Sequence, residues 1–299
     1  MHFNKNAIKP IKSLVIIIFL IAILITKSKS KLKILICTIA KQENKYIKEF
    51  VQHYHKLKIN KIIIYDNNDI NGEDLKDILK NYINYNFTQI INYRGIERPQ
   101  RKAYNDCYTM NRYLYDWIAF YDVDEFLYII NYTNINKFLS LSKFKKCQSI
   151  LINWKYYGDN DLLYYSPKPL SKRFIKSIYI ANETQKFSKF YLSAAKTIVK
   201  GGLNITWGLL PHYLNNTINC RPNGNILIDY FSIPEYSFAY INHYITKSTE
   251  EFIERLSRGD VLLKVNDNYI KNRIKNYYFK FNNVTKEKID LFKKKLNIN

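Results

Sequence analysis

Four short apolar runs, separated by stretches with helical spacing, limit what this chain can fold into. The runs are Leu32 to Ile39, Lys61 to Tyr65, Phe87 to Tyr93 and Trp117 to Tyr121. Between the first two, Tyr46, Ile47, Phe50, Val51, Tyr54 and Leu57 recur at three- and four-residue intervals, so the spacing predicts a helix over 42–57. Leu75 to Tyr82 and Arg101 to Tyr115 read as the next two helices. Strand and helix in alternation is the pattern of a parallel sheet covered by helices, so the expected class is α/β with a mostly parallel sheet. Such sheets bind ligands at the carboxyl ends of their strands. Each run here ends in polar residues: Lys41-Gln42-Glu43-Asn44, Asp66 to Asp69, Arg94-Gly95 and Asp122-Val123-Asp124.

Past residue 150 the pattern is less regular. Ile150 to Trp154 reads as a further strand, and Gly158, Pro167, Pro169 and Gly201-Gly202 punctuate the next fifty residues or so. Thr249 to Ser257 reads as a helix with Ser248 or Thr249 as its cap, and Glu250, Glu251 and Glu254 suit its positive end. From about Tyr269 the chain is a lysine-rich amphipathic helix or a loose basic segment. The expected division is an N-terminal anchor and stem over 1–30, a central domain over 31–262 and a basic C-terminal segment over 263–299.

The anchor rests on Leu14 to Ile25, an unbroken apolar run flanked by lysines on both sides. It is shorter than the roughly 20 residues a spanning helix normally uses. A signal anchor and the apolar region of a cleaved signal peptide both fit. Thr26-Lys27-Ser28-Lys29-Ser30 offers no small-x-small cleavage site, which favours the anchor.

The net charge is +22, from 47 Lys and Arg against 25 Asp and Glu. The lysines are dispersed, so the charge permits anionic partners without selecting one, and a nucleic-acid-binding protein would need a concentrated basic stripe or a recognisable module. No nucleic-acid partner is expected. The four cysteines, Cys37, Cys107, Cys147 and Cys220, form no CxxC pair, which removes a zinc site; disulfides and buried thiols both stay open.

The sharpest chemical feature is Trp117-Ile118-Ala119-Phe120-Tyr121-Asp122-Val123-Asp124-Glu125-Phe126. Residues two apart on an extended chain share a face, so Asp122 and Asp124 can address one cation. Hard cations such as Mn2+ or Mg2+ take oxygen ligands, usually one or two carboxylates completed by phosphate. That arrangement suits the loss of a diphosphate leaving group.

Ordered blocks along the chain resemble glycosyltransferase family 92 and, more loosely, GT-A transferases. They are Cys37 to Phe50 with Tyr54-His55-Lys56-Leu57, then Ile64-Tyr65-Asp66-Asn67-Asn68, the trio Gln100, Tyr104 and Cys107, the segment Trp117 to Phe126, and His243 to Phe252 with Arg258-Gly259. Together they span about residues 32 to 260. The resemblance implies a GT-A fold with a nucleotide-binding sheet, a UDP-sugar donor with galactose favoured, Mn2+ dependence, a glycan acceptor, inversion at the anomeric carbon and a Golgi or other secretory-pathway membrane. It places Asp124 on the metal, Asp122 on the metal or the donor ribose, and Lys41, Glu43, Asp66 and Asn67 around the nucleotide. His243 is expected as a further metal ligand, with His212 as the alternative. Where the family has small residues after a tryptophan and a first glycine, this chain has Asp159-Asn160-Asp161 after Trp154 and Gly158, which bears on acceptor choice.

An inverting transfer needs a general base, and Asp159, Asp161 and Glu183 are the candidates. A nucleotidyltransferase would carry a glycine-rich loop after the first strand, where this chain has Ala40-Lys41-Gln42-Glu43. A non-catalytic, carbohydrate-binding relative is the other alternative, and the intact Asp122 and Asp124 count against it.

Overall fold

The computed structural model describes residues 31–97, 99–178, 194–207, 211–258 and 267–296. The expected anchor and Glu183 lie outside these residues. Among the described residues no helix is long and apolar enough to cross a membrane.

The first half follows the expected alternation. Strands β1 (Ile34–Ala40), β2 (Lys61–Asp66), β3 (Thr88–Asn92) and β4 (Trp117–Phe120) are joined through helices α1 (Ile47–Lys56), α2 (Lys76–Asn84) and α3 (Gln100–Asn111). β1 pairs in parallel with both β2 and β4, and β2 in parallel with β3. β1 and β4 are buried along almost their whole length, as uninterrupted apolar strands in a covered parallel sheet should be. α1 turns Ile47, Phe50, Val51 and Tyr54 into the core, the residues its spacing marks out. α3 buries Ala103, Tyr104, Cys107 and Tyr108 against Leu35, Cys37, Ile63 and Phe120. A disulfide between Cys37 and Cys107 pins that helix to β1.

The second half departs from the expected parallel sheet. After β4 come β5 (Glu125–Ile129), a short helix α4 (Ile135–Leu139), β6 (Ser149–Tyr157) and a one-turn helix α5 (Leu170–Arg173). Then come the minor strand β7 (Ser177–Ile178), β8 (Ala195–Lys200), a separate ribbon of β9 (Thr206–Trp207) and β10 (Leu214–Asn215), the minor strand β11 (Asn219–Cys220), and β12 (Ala239–His243). The order in the main sheet is β3-β2-β1-β4-β8-β6-β12-β5, with β7 and β11 also paired to β6. β8 runs antiparallel to β4 and β6, and β12 runs antiparallel to β5 and parallel to β6, so the sheet is mixed. β4 and β5 are joined only by residues 121–124, yet three strands lie between them in the order. Neighbouring strands lie about 4.8 Å apart, and a link this short reaches across only because the sheet curls. β6 makes the curl by changing partners half-way: Ser149 to Asn153 pair with β8, and Trp154 to Tyr156 pair with β12. A second disulfide, Cys147–Cys220, fastens the start of β6 to β11.

Helix α6 (Thr249–Arg258) follows β12. Ser248 caps it: its amide donates to Glu251 Oε2 at 3.1 Å and its hydroxyl accepts from the Glu251 amide at 3.4 Å, the reciprocal arrangement of a capping box. The C-terminal segment is helical, with α7 (Asp267–Arg273), a continuation through 274–281 and α8 (Lys286–Leu296). Ile274, Tyr278, Leu291 and Phe292 pack on Phe252, Ile253 and Leu256 of α6.

Candidate functional site

The link between β4 and β5 is a tight turn. The Asp122 amide donates to Glu125 Oε2 at 3.0 Å, and the Glu125 amide donates to the Asp122 carbonyl at 3.0 Å. This closure sends the three acidic side chains of Asp122, Asp124 and Glu125 to the carboxyl end of β4. β12 delivers His243 to the same place, since His243 pairs with Glu125 on one side and with Tyr156 of β6 on the other. Ligand atoms of Asp124, Glu125 and His243 all lie within 4.8 Å of one another, and all three residues are buried. Trp154 packs its ring 4.4 Å from the His243 ring and fixes its plane.

Asp122 is directed elsewhere. Its Oδ2 lies 2.7 Å from Lys196 Nζ, and its Oδ1 accepts from the Tyr104 hydroxyl at 3.0 Å and from Gln100 at 3.4 Å. Lys196 Nζ also reaches Glu125 Oε1 at 3.4 Å. Asp124 Oδ2 faces Lys247 Nζ at 3.4 Å and Arg255 at 3.7 Å, and its Oδ1 is 3.7 Å from His243 Nε2.

Burial and charge pull these groups in opposite directions. Burial works to raise the Asp124 carboxyl, but Lys247, His243, Arg255 and Arg258 outweigh it and hold Asp124 well below the usual carboxylate range. Asp122 is likewise held low against its burial, chiefly by Lys196. For Glu125, burial and the repulsion of its acidic neighbours outweigh Lys196 and the Asp122 amide, and its carboxyl is pushed far up. Burial lowers His243 to about 4, which keeps the imidazole neutral and able to ligate.

The donor set fits a hard divalent cation. Two carboxylates and a neutral imidazole converge, and Glu125 Oε1 and His243 Nδ1 are buried atoms without a hydrogen-bond partner. Buried ligand atoms without a hydrogen bond at a converging cluster are placed to take a cation, and Glu125 Oε1 faces the Lys196 ammonium at 3.4 Å.

The ends of β1 and β2 form the adjoining wall. Asp66 takes Arg94 Nε at 2.9 Å on one oxygen and the amide and side chain of Asn68 on the other. Asn67 ties the strand ends together, donating to the carbonyls of Tyr93 and Ile96 at 2.9 Å. Lys41 pairs with Asp69 at 3.0 Å, and Glu43 accepts from Arg258 at 2.7 Å while keeping Oε2 buried and unpartnered.

The chain's sequence matches the family model described as Glycosyltransferase family 92 over residues 33–296. This chain belongs to glycosyltransferase family 92. A family 92 protein of Ricinus communis is 27% identical over 94 residues, covering 31% of this chain and 17% of that protein. Another, of Arabidopsis thaliana, is 25% identical over 147 residues, covering 48% of this chain and 25% of that protein. The match thus spans a quarter or less of the length of these curated relatives. Among solved structures, TarS of S. aureus aligns over 89% of this chain and 43% of its own, with 12% identity and a TM-score of 0.41.

The structure brings Asp124 and His243 together, while Asp122 stands beside them on Lys196. Lys41, Glu43, Asp66 and Asn67 stand together at the strand ends. Asp159 and Asp161 follow β6, but their carboxylates are engaged: Asp159 Oδ2 lies 2.7 Å from Lys288 Nζ and accepts from the Tyr278 hydroxyl at 2.5 Å. Asp161 is 59% exposed and 3.0 Å from the same ammonium, which holds its carboxyl low. His212 lies behind Trp154 and donates through Nδ1 to the Ala195 carbonyl at 2.6 Å. Glu125 is a site residue that sequence reasoning passed over, while Lys196 is one of several lysines able to neutralise phosphate that the sequence leaves unranked. Glu125 sits inside the recognised segment, and an acid directly heading the apolar run Phe126-Leu127-Tyr128-Ile129 is the signal the sequence offers for it. Lys196 gives none in a chain with 47 Lys and Arg.

Proposed function

We propose that the chain transfers a sugar, galactose as the first choice, from a UDP-sugar to a hydroxyl of a glycan acceptor, with inversion and with Mn2+ or Mg2+ bound. The observation that carries this reading is the convergence of Asp124, Glu125 and His243 at the end of β4, beside cationic side chains and the polar ends of β1 and β2. The nucleotide lies along those strand ends, in a GT-A arrangement, with Asp66, Asn67, Lys41 and Glu43 around it and Asp122 toward the ribose. Asp124, Glu125 and His243 hold the metal, which when bound neutralises charge on the departing diphosphate.

The chain's own cations do the rest of the electrostatic work. Lys247 and Arg255 flank Asp124 and face the same phosphates, where preorganised positive charge stabilises developing negative charge without reorganising solvent. The acceptor oxygen attacks the anomeric carbon, the bond from that carbon to the diphosphate oxygen breaks, and the hydroxyl proton passes to a carboxylate. Asp159, committed to Lys288 and Tyr278, serves the fold, which leaves Asp161 and Glu183 as the proposed bases. Two disulfides suit an oxidising compartment, in keeping with a secretory-pathway membrane and anchorage through residues 14–25.

The test is a screen of UDP-sugars for hydrolysis and transfer, with Mn2+ or with EDTA. One donor turned over with Mn2+ and silent with EDTA supports the reading; uniform silence, with no metal-dependent UDP binding, removes it.

A further inference from the structure

Lys196 projects from β8 into an acidic turn, with its side chain 1% exposed and its ammonium held by Asp122 at 2.7 Å and Glu125 at 3.4 Å. Two more cations, Lys247 and Arg255, stand at 3.4 and 3.7 Å from Asp124 Oδ2. Three carboxylates therefore face three cationic side chains. The charge of the turn is thus already met before a divalent cation arrives. An additional buried double charge with no compensating anion is strongly disfavoured. A nucleoside diphosphate brings that anion.

We propose that Lys196 is a positioning residue that acts as an internal counter-cation and makes metal uptake conditional on a nucleoside diphosphate. This rests on reading Asp124, Glu125 and His243 as the metal cluster. Lys196 differs from Lys247 in being fixed by two carboxylates at once, one of them a cluster ligand. It holds Asp122 off the cluster and draws Glu125 Oε1 toward itself, so both acids are kept from a free ion. When diphosphate and metal arrive together, the phosphate oxygens supply both ligands and charge. The coupling is reciprocal: the metal strengthens nucleotide binding by the factor by which the nucleotide strengthens metal binding.

The experiment is Mn2+ titration of the full chain, followed by the loss of the free-ion electron paramagnetic resonance signal, without and with saturating UDP. In the wild type, UDP is expected to tighten Mn2+ binding by about tenfold or more. Lys196→Met, which keeps the length of the side chain and removes the charge, is expected to tighten Mn2+ binding without UDP by about tenfold and to shrink the UDP effect to match. Lys196→Arg is expected to keep the wild-type dependence. Equal Mn2+ affinity with and without UDP in the wild type overturns the inference and leaves the metal-site reading standing. An unchanged UDP effect in a folded Lys196→Met also overturns it. Absence of Mn2+ binding under both conditions overturns the metal-site reading itself and the inference with it. If Lys196→Met does not fold, the wild-type pair of titrations and Lys196→Arg still decide.

Discussion

Lys247 places its ammonium 3.4 Å from Asp124 Oδ2 while its own backbone sits at φ 56. Left-handed backbone is uncommon for a residue with a Cβ and persists where the surroundings impose it. Here the turn runs from the end of β12, next to the Asp124, Glu125 and His243 cluster, into the cap of α6. The strained position aims one cation at Asp124, while Lys196 holds Asp122 and Glu125.

Lys247→Ala is expected to lower turnover by about a hundredfold, the loss typical of one preorganised charge at a reacting group. Lys247→Arg should recover part of it. Steady-state kinetics at saturating donor measure the effect, and a loss confined to KM would move Lys247 from the reacting phosphate to simple donor binding.

Asp159 has a different expected signature. Its carboxylate neutralises the buried Lys288 and accepts from Tyr278, so α8 is fastened to the turn after β6. Asp159→Asn leaves the buried Lys288 ammonium with the exposed Asp161 carboxylate and the Asn283 carbonyl, at a cost of about 3 kcal/mol. Denaturant unfolding should show that loss, with activity per folded molecule close to wild type. Abolished turnover in a variant of unchanged stability would instead make Asp159 the base.

Acid should destabilise the metal-free protein through its buried histidines. Burial lowers His53 and His243 to about 4 and His212 to about 3, below the ordinary value near 6.5. The unfolded chain therefore binds protons that the folded chain refuses. Stability is complete above about pH 6.5 and falls as the pH drops through that window, by up to about 1.4 kcal/mol per unit for each histidine. Unfolding free energies at a series of pH values from 7 to 4 measure the slope. His53→Gln, which removes one of these groups and leaves the metal cluster intact, should reduce it.

The disulfide between Cys37 and Cys107 closes a loop of sequence separation 70. Removing it with a Cys37→Ser, Cys107→Ser pair is expected to destabilise the protein by about 4 kcal/mol on the loop-entropy account. Comparison of unfolding midpoints for the oxidised protein and the double variant tests this.

Much of the first half of the fold was legible because its signals are local. β1, β2 and β4 are apolar runs, α1 shows its buried stripe in its spacing, and the Ser248 to Glu251 cap is written in four consecutive residues. The second half depends on pairings between distant segments. Ala195-Lys196-Thr197-Ile198-Val199-Lys200 has a lysine near each end of its apolar stretch, and its burial comes from lying between β4 and β6. Nor does anything local reveal that β6 changes partner at Trp154 and curls the sheet. The site divides in the same way. Asp122, Asp124 and His243 were readable from motif and resemblance, while the diversion of Asp122 to Lys196 follows from a contact across 74 residues. The cysteine pairing was equally invisible, because each partner lies in a separate element that only the fold brings together.

The most direct test of the account is transfer from a UDP-sugar by Asp124→Ala beside the wild type, with Mn2+ present and the fold of both checked by circular dichroism. The account predicts that the variant keeps its fold and loses transfer by at least about a hundredfold. A folded Asp124→Ala variant that transfers sugar at the wild-type rate would contradict it.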